Sequence, residues 1–427
     1  MANKNKATYD LIVIGGGPSG MMAAGRAAEL GVHVLLLERN KKLGVKLSWT
    51  GGGRCNITNN TLNVREFLEN FPESKDFLFS PFSKFSVKDT FTFFEKKNLP
   101  LVTEVRDRVF PKSQKAEDVV RVMKKYVEKN KVEIKTDTRV VSLKKAEGEK
   151  FSLKTKDGNS YTAENVIIAT GGLAAPESGS TGDGFNFLKK LGHTILPSNP
   201  NIVPLKTDAT WVHALAGTSL SFMRIRFIQD GKIKIKKLGK LLFTHFGISG
   251  PLILNSANEV KKLLENGPVE ASIDLFPDTE ENELDRRLWR LFEKNKNKII
   301  KNVLPEMLPS SLADMILNFE EVDLAERVVN SITKEERKML IYIMKNLSFD
   351  ITGTMGFEKA VSADGGIPLN EVDFKSMSSR VHPSLYLLGD ILNINRPSGG
   401  FSLQLCWTTG WVAGSSVAEK IKGKKTK

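Results

Sequence analysis

The stretch LIVIGGGPSG, Leu11 to Gly20, runs an apolar segment straight into clustered glycines, and its reading decides the fold. Tyr9 to Ile14 reads as a strand buried on both faces, Pro18 to Leu30 as a helix of small residues, and Val32 to Glu38 as the next strand. Together they make one βαβ unit at the start of a doubly wound sheet. In Gly15-x-Gly17-x-x-Gly20 the first glycine permits the tight turn, the second lets backbone approach a pyrophosphate, and the third lets the helix pack on the strand. Pro18 and Ser19 complete the phosphate-facing turn. The positive end of the helix adds about 0.3 to 1 kcal/mol per charge before hydrogen bonds are counted. Glu38, ending the second strand and followed by Arg39, suits two ribose hydroxyls; a 2′-phosphate there would force two negative groups together. The nucleotide is therefore NAD or FAD.

The far end of the chain chooses between them. A strand at Leu385 to Leu388 ends in Gly389-Asp390, followed by the glycine turn Gly399-Gly400 and a helix beginning near Phe401. An extended flavin nucleotide needs such a segment, and a short nicotinamide site does not. Asp390 is placed to accept from ribityl hydroxyls, while the helix start faces the pyrimidine edge of the flavin and stabilises the charge that gathers there on reduction. The two ends together indicate FAD. No second GxGxxG follows a strand, so a separate nicotinamide domain is not expected. Either NAD(P)H binds transiently at the flavin face or the substrate itself reduces the flavin.

Between the ends, a helix from Lys115 to Asn130 leads into short strands around Val132 to Val141, Phe151 to Thr155 and Asn165 to Ala169, the last ending in ATGG. The proline-rich stretch LPSNPNIVPL, 196 to 205, marks a crossing into another domain. Beyond it the apolar period becomes two, most clearly in SFMRIRFIQDGKIKIKK, a β-hairpin. A three-residue loop Gln229-Asp230-Gly231 keeps its faces uniform by pairing Phe227 with Ile233, which sets Arg226 beside Lys234 and Arg224 beside Lys236. Like charges so placed call for counter-ions or an acidic neighbour, or else make an anion-binding surface. From Thr279 to about Asn346 the spacing is helical. The expected division is 1–197 and 349–427 for the FAD-binding domain, 198–278 for a β-rich insert and 279–348 for a helical one.

Composition bounds the partners. The chain has 427 residues, 40% hydrophobic and 26% charged, which suits a globular protein. No apolar run approaches the roughly 18 residues that span a bilayer, and MANKNKATYD lacks the apolar block of a secretory signal. A cytoplasmic protein with no membrane partner is expected. Cys55 and Cys406 stand far apart with no metal-ligand spacing, which argues against a disulfide framework or a metal site. The net charge of +14 favours anionic partners, although part of it is the tail KIKGKKTK, read as a frayed terminus. The sequence carries no RNA-binding motif, and a small molecule is the expected substrate.

Through LIVIGGGPSGMMAA, GVKLSWTGGGRCNITN, RVFPKSQKAEDVV, VIIATGG, FTHFGISGPLIL and GGFSLQ, the chain resembles the bacterial NAD(P)/FAD-dependent oxidoreductases, the aminoacetone-oxidase-like flavoproteins. The resemblance implies an α/β Rossmann-like FAD domain of the glutathione-reductase type, interrupted by an insert with a β-barrel-like part and a helical part. It places Lys46, Gly52, Gly53, Arg54, Cys55 and Asn56 along the flavin, and adds Val140, Ala169, Thr170 and Gly171 to the cofactor contacts. Glycines ahead of Arg54 also make sense alone, since bare backbone approaches a flat ring closely. Cys55, with no partner thiol in view, reads as a packed cysteine rather than a redox one. His245, one of five histidines, is the candidate proton donor or acceptor, and Arg108 a candidate for holding substrate. One departure stands out: an aspartate is expected at the position of Asn393, and the unusual NRP follows at 395–397.

The expected reaction is hydride transfer at the flavin. It serves an oxidoreductase acting between NAD(P)H and a small organic compound, an oxidase passing electrons from a small amine to oxygen, or, in another class, an RNA-associated flavoprotein. In every case Glu38→Ala is expected to lose charged hydrogen bonds of about 1.5 to 3 kcal/mol, or about ten- to a hundredfold in FAD affinity. Equilibrium titration of the apoprotein with FAD measures it, and unchanged affinity removes Glu38 from the site.

Overall fold

Leu11, Ile12 and Val13 are fully buried, the state their unbroken apolar run requires, because a central parallel strand is covered on both faces. They belong to β1 (Thr8–Ile14), which pairs in parallel with β2 (Val34–Leu37) after a crossover through α1 (Pro18–Glu29). In this computed structural model, which describes residues 8–146, 150–319 and 322–425, the chain forms two compact units: Met1–Pro200 with Phe357–Lys427, and Asn201–Gly356.

In the first unit, α2 (Val45–Gly53) is followed by the strands β3 (Thr58–Asn59), β4 (Leu101–Glu104) and β5 (Arg108–Pro111), a small antiparallel sheet ordered β3-β5-β4. Helix α3 (Ala116–Lys129) leads to β6 (Glu133–Lys135), and β7 (Val140–Lys145), β8 (Phe151–Thr155) and β9 (Ser160–Ile168) follow. The main sheet runs β6-β2-β1-β9-β8-β7. It is parallel from β6 to β9 and antiparallel beyond. Helix α4 (Asp183–Lys190) precedes the second unit.

The second unit holds β10 (Leu205–Lys206), β11 (Ser219–Gln229), β12 (Lys232–Thr244), β13 (Gly247–Ser249), α5 (Pro251–Leu264) and β14 (Val269–Asp274). Helices α6 (Glu281–Lys294), α7 (Ser310–Leu317) and α8 (Lys334–Lys345) come next, then β15 (Leu347–Ile351) and β16 (Gly353–Thr354). Its sheet is ordered β15-β14-β11-β12-β13-β10-β16. Residues 349–351 and 353–354 are thus strand residues of this sheet, within the second unit.

The hairpin register differs from the expected one. Gln229 pairs with Lys232 across a two-residue turn in which Asp230 and Gly231 both have positive φ, 52° and 69°. A bulge at Lys234 then restores the apolar face, so that Ile228 opposes Ile233 and Phe227 opposes Ile235. The expectation assumed an unbroken ladder; a bulge absorbs the mismatch instead. Arg226 consequently faces Lys236, and Arg224 faces Leu238. Arg224 lies 3.3 Å from Asp274, which also holds Lys345 at 3.0 Å. Arg226 donates to Lys345 O at 2.6 Å and Asn346 Oδ1 at 2.9 Å.

After the insert the chain returns as β17 (Leu385–Leu387), parallel to the end of β9, and α9 (Phe401–Lys425). The helix carries most of the basic tail, whose last two residues lie outside the described ones. No helix among the described residues is long and apolar enough to cross a membrane.

Helix α9 lies so close to α1 that a Cβ on Gly410 would sit 2.6 Å from Ser19 O, and one on Gly414 2.5 Å from Ala23 O. Gly414→Leu is therefore expected to force the helices apart and cost at least about 1 to 3 kcal/mol. Gly423→Leu on the same helix, where a side chain meets open space, serves as control. Chemical denaturation compares the two, and equal stabilities refute the close contact.

Candidate active site

The three fingerprint glycines do three different things. A Cβ on Gly15 would lie 2.4 Å from Ala169 O, and one on Gly20 1.9 Å from Gly15 O, so both mark close backbone packing. In front of Gly17 there is nothing within 4 Å. Gly17 is the N-cap of α1, Pro18 occupies the first turn, and no side chain caps the helix. Uncapped amides facing open space are what a pyrophosphate requires. Ser19 is buried behind them.

Glu38 is 6% exposed and accepts from Gly16 N at 2.6 Å and Asn40 N at 2.7 Å. Burial raises its pKa, and these backbone donors oppose the rise. Each oxygen keeps a second lone pair, so the carboxylate is fixed in place and still able to accept from ribose hydroxyls. Arg39 points elsewhere: its guanidinium donates to Thr181 and lies 3.4 Å from Asp183, which Arg139 grips with two bonds of 2.9 Å. Val140 opens β7 and lines a groove of about 270 Å³ with Arg139, Asp183 and Phe187.

Helix α2 loses helical geometry at Thr50, and Gly51 and Gly52 turn left-handed. Beside Gly52 and Gly53 a Cβ would meet nothing within 4 Å. The bare backbone expected there is present. Lys46 Nζ reaches Ala174 O at 3.2 Å and Asp390 Oδ2 at 3.5 Å, joining the opening and closing segments. Arg54 is engaged by protein: Nε donates to Gln114 Oε1 at 2.6 Å, Nη2 pairs with Glu104, and the guanidinium stacks 4.0 Å above the Phe110 ring. Arg108 faces Glu104 across β4 and β5 and donates to Val105 O at 3.2 Å. The hydrogen bond from Arg54, helped by the charges of both arginines, holds the Glu104 carboxyl below its usual range. Cys55 is fully buried, and burial pushes its thiol up to about 12, the behaviour of a packed side chain. Asn56 Oδ1 is buried with no hydrogen-bond partner among the described residues.

The closing segment comes to the opening one. A Cβ on Gly172 would lie 3.1 Å from Asp390 O, and one on Gly389 3.0 Å from Ser19 Oγ. Ala169, Thr170 and Gly171 follow directly from β9, with Gly171 against Ser180. Burial would raise the pKa of Asp390, but the charges of Arg396 and Lys46 hold it below the usual carboxylate range. Gly400 packs against the Thr58 backbone, and Asn59 Nδ2 donates to Gly399 O at 3.3 Å. The Phe401 ring packs on Phe67, with centroids 5.0 Å apart and planes tilted by 46°. His245 is exposed in the turn between β12 and β13 and belongs to the second unit, not to the residues gathered in the first.

Three residues here escaped the sequence reading. Thr58 donates to Gln404 Oε1 at 2.6 Å, and Asn59 ties the Gly399 turn to Arg106 O, yet both lie inside the GGGRCNITN stretch. Arg396 is wholly buried and donates to Gly389 O at 2.8 Å and Leu392 O at 3.0 Å. Its position in NRP was the only signal.

A glycine turn open to a pyrophosphate, an acid at the second strand and an Asp-bearing segment folded back beside them fit an FAD. The HI0933-like protein Rossmann domain family matches residues 9–416. The chain belongs to this family. It is 29% identical over 96% of its length to the 3-dehydro-bile acid delta(4,6)-reductase of Clostridium scindens, covering 98% of that protein. The ribosomal RNA dihydrouridine synthase of Escherichia coli is 27% identical over the same shares of each chain. Among solved structures, the 3-ketosteroid delta1-dehydrogenase of Sterolibacterium denitrificans shares the fold, with a TM-score of 0.55, 12% identity, and coverage of 97% of this chain and 100% of that one. The protein is an FAD-dependent oxidoreductase with a Rossmann-type FAD-binding domain.

The raised pKa and burial of Cys55 generate a direct test. In the folded protein at pH 8, Cys55 is expected to resist thiol-specific reagents, and to react at once in denaturant. Peptide mapping after labelling reads the difference, and fast labelling of folded protein contradicts the packed assignment.

Proposed function

We propose that this flavoenzyme reduces a carbon–carbon double bond conjugated to a carbonyl, drawing hydride from NAD(P)H that binds transiently at the flavin face. The observation that carries the reading is the near full-length likeness to two relatives. One is named for reducing the Δ4,6 system of a 3-oxo compound, the other for converting uridine to dihydrouridine. Saturating a double bond next to a carbonyl is the chemistry those names have in common.

When bound, FAD accepts hydride from one partner and donates it to another. The chain's own residues do the rest. The Gly15–Gly20 turn and the start of α1 hold the pyrophosphate, Glu38 the ribose, and Asp390, steadied by Lys46, the ribityl hydroxyls. The bare backbone at Gly52 and Gly53 would leave room for the ring, and the start of α9 would stabilise negative charge on it. Hydride delivered to the β-carbon leaves negative charge on the carbonyl oxygen, and a proton must reach the α-carbon. His245 is the proposed donor of that proton, and Arg108 the proposed contact for the substrate carbonyl.

A small organic molecule is the substrate under this reading. A second reading, in which the conjugated bond belongs to a base of RNA, is favoured by the +14 charge and by the ribosomal RNA relative. Steep salt dependence of RNA binding is its signature.

Anaerobic stopped-flow tests both. NADPH or NADH should bleach the flavin, and an α,β-unsaturated ketone or a uridine-containing RNA should restore its colour. His245→Ala should slow the second step about a hundredfold or more, the range of general acid catalysis, and leave the protein yellow. Bleaching by small amines, with no reoxidation by either acceptor, overturns the reductase reading in favour of an amine oxidase.

A further inference from the structure

Arg396 is a buried charge that the proposed chemistry does not use. Its side chain is 0% exposed, and a buried guanidinium is costly unless it is fully paired. Here it is not. Nη2 donates to Gly389 O and Leu392 O, but Nε and Nη1 have no hydrogen-bond partner among the described residues. Nη1 lies 3.5 Å from Asp390 Oδ1, near enough for charge attraction, yet neither atom makes a hydrogen bond. The other oxygen of Asp390 is 3.5 Å from Lys46 Nζ. One carboxylate therefore stands between two cations, and the trio carries a net positive charge.

The surrounding sequence pushes the charge the same way. The aspartate expected at position 393 is Asn393, whose Oδ1 accepts from Gly365 N at 3.1 Å and brings no charge. Arg396 sits between the two turns of the closing segment, Gly389-Asp390 and Gly399-Gly400. Because its side chain is 0% exposed, Arg396 is not placed to touch the reacting atoms. Its reach is electrostatic, through a medium that screens charge weakly, and arginine cannot escape the cost of burial by losing its proton.

We propose that Arg396 is a positioning residue that holds Asp390 by charge and, with Lys46, would leave a net positive charge at the closing segment that favours the reduced, electron-rich cofactor. This rests on the reading that the closing segment lies at the flavin.

The test is a redox titration of the FAD-loaded protein against reference dyes, with no substrate present. At the potential where wild type is half reduced, Arg396→Met is expected to lower the ratio of reduced to oxidised flavin about tenfold, about 30 mV for a two-electron couple. Arg396→Lys, which keeps the charge, should restore most of it. FAD bound by Arg396→Met at the wild-type potential overturns the proposal. If that variant does not hold FAD, Lys46→Met removes a charge of the same trio from its more exposed side, and an unchanged potential there overturns the proposal equally. Wild-type protein that cannot be loaded with FAD would instead defeat the reading of the site itself.

Discussion

The site depends on the near-contact of two helices, α1 and α9, that begin at opposite ends of the chain. Gly410 and Gly414 let the α9 backbone approach Ser19 O and Ala23 O more closely than any side chain would permit. That approach fixes where the closing segment runs. It sets Gly389 against Ser19, in the first turn of the helix whose uncapped start faces the open space beside Gly17. Without it, the pyrophosphate turn and the Asp390 segment would be halves of a site with nothing to hold them in register.

Charge then decides how the joined ends behave. Asp390 Oδ1 is buried without a hydrogen bond, a position that would favour a neutral carboxyl, and two cations keep it ionised. Arg54 and Glu104, both partly exposed, pair with each other, and Arg54 also donates to Gln114. The pair near Phe110 is bonded within the protein, whereas Asp390 Oδ1 and Arg396 Nε and Nη1 have no hydrogen-bond partner among the described residues. A stability argument alone would favour the first arrangement everywhere, because an unpaired buried polar atom costs about 1 to 3 kcal/mol. Under the proposed function the ribityl hydroxyls would offset part of that cost at Asp390, and the charge of Arg396 would serve the reduced cofactor.

The parts of the fold legible in the sequence were those set by local chemistry. Three glycines at fixed spacing, a strand buried on both faces and an acid at the end of the next strand each follow from backbone geometry, and each stands where the spacing put it. The hairpin turn was misread because a bulge at Lys234, which no alternation pattern announces, changes which residues oppose each other. The start of the helix at Phe401 was legible as a cofactor-facing turn, but the packing of its ring on Phe67 and Phe71 was not, because that depends on segments distant in sequence. Arg396 was visible only as an odd tripeptide. Burial is a property of what folds over a residue, and for Arg396 that includes the carbonyls of Gly389 and Leu392 and the charge of Asp390.

A single dinucleotide turn also constrains the proposed chemistry. In the proposed chemistry NAD(P)H and the acceptor visit one flavin in turn. Alternating occupancy favours a cofactor that rests comfortably in its reduced form between the two visits, since the reduced state must outlast the departure of the first partner. A fixed cation at the closing segment serves that interval better than a titrating one, because its charge does not change with the protons the reaction consumes. Arginine, which stays charged throughout the working range, is the side chain that meets this requirement.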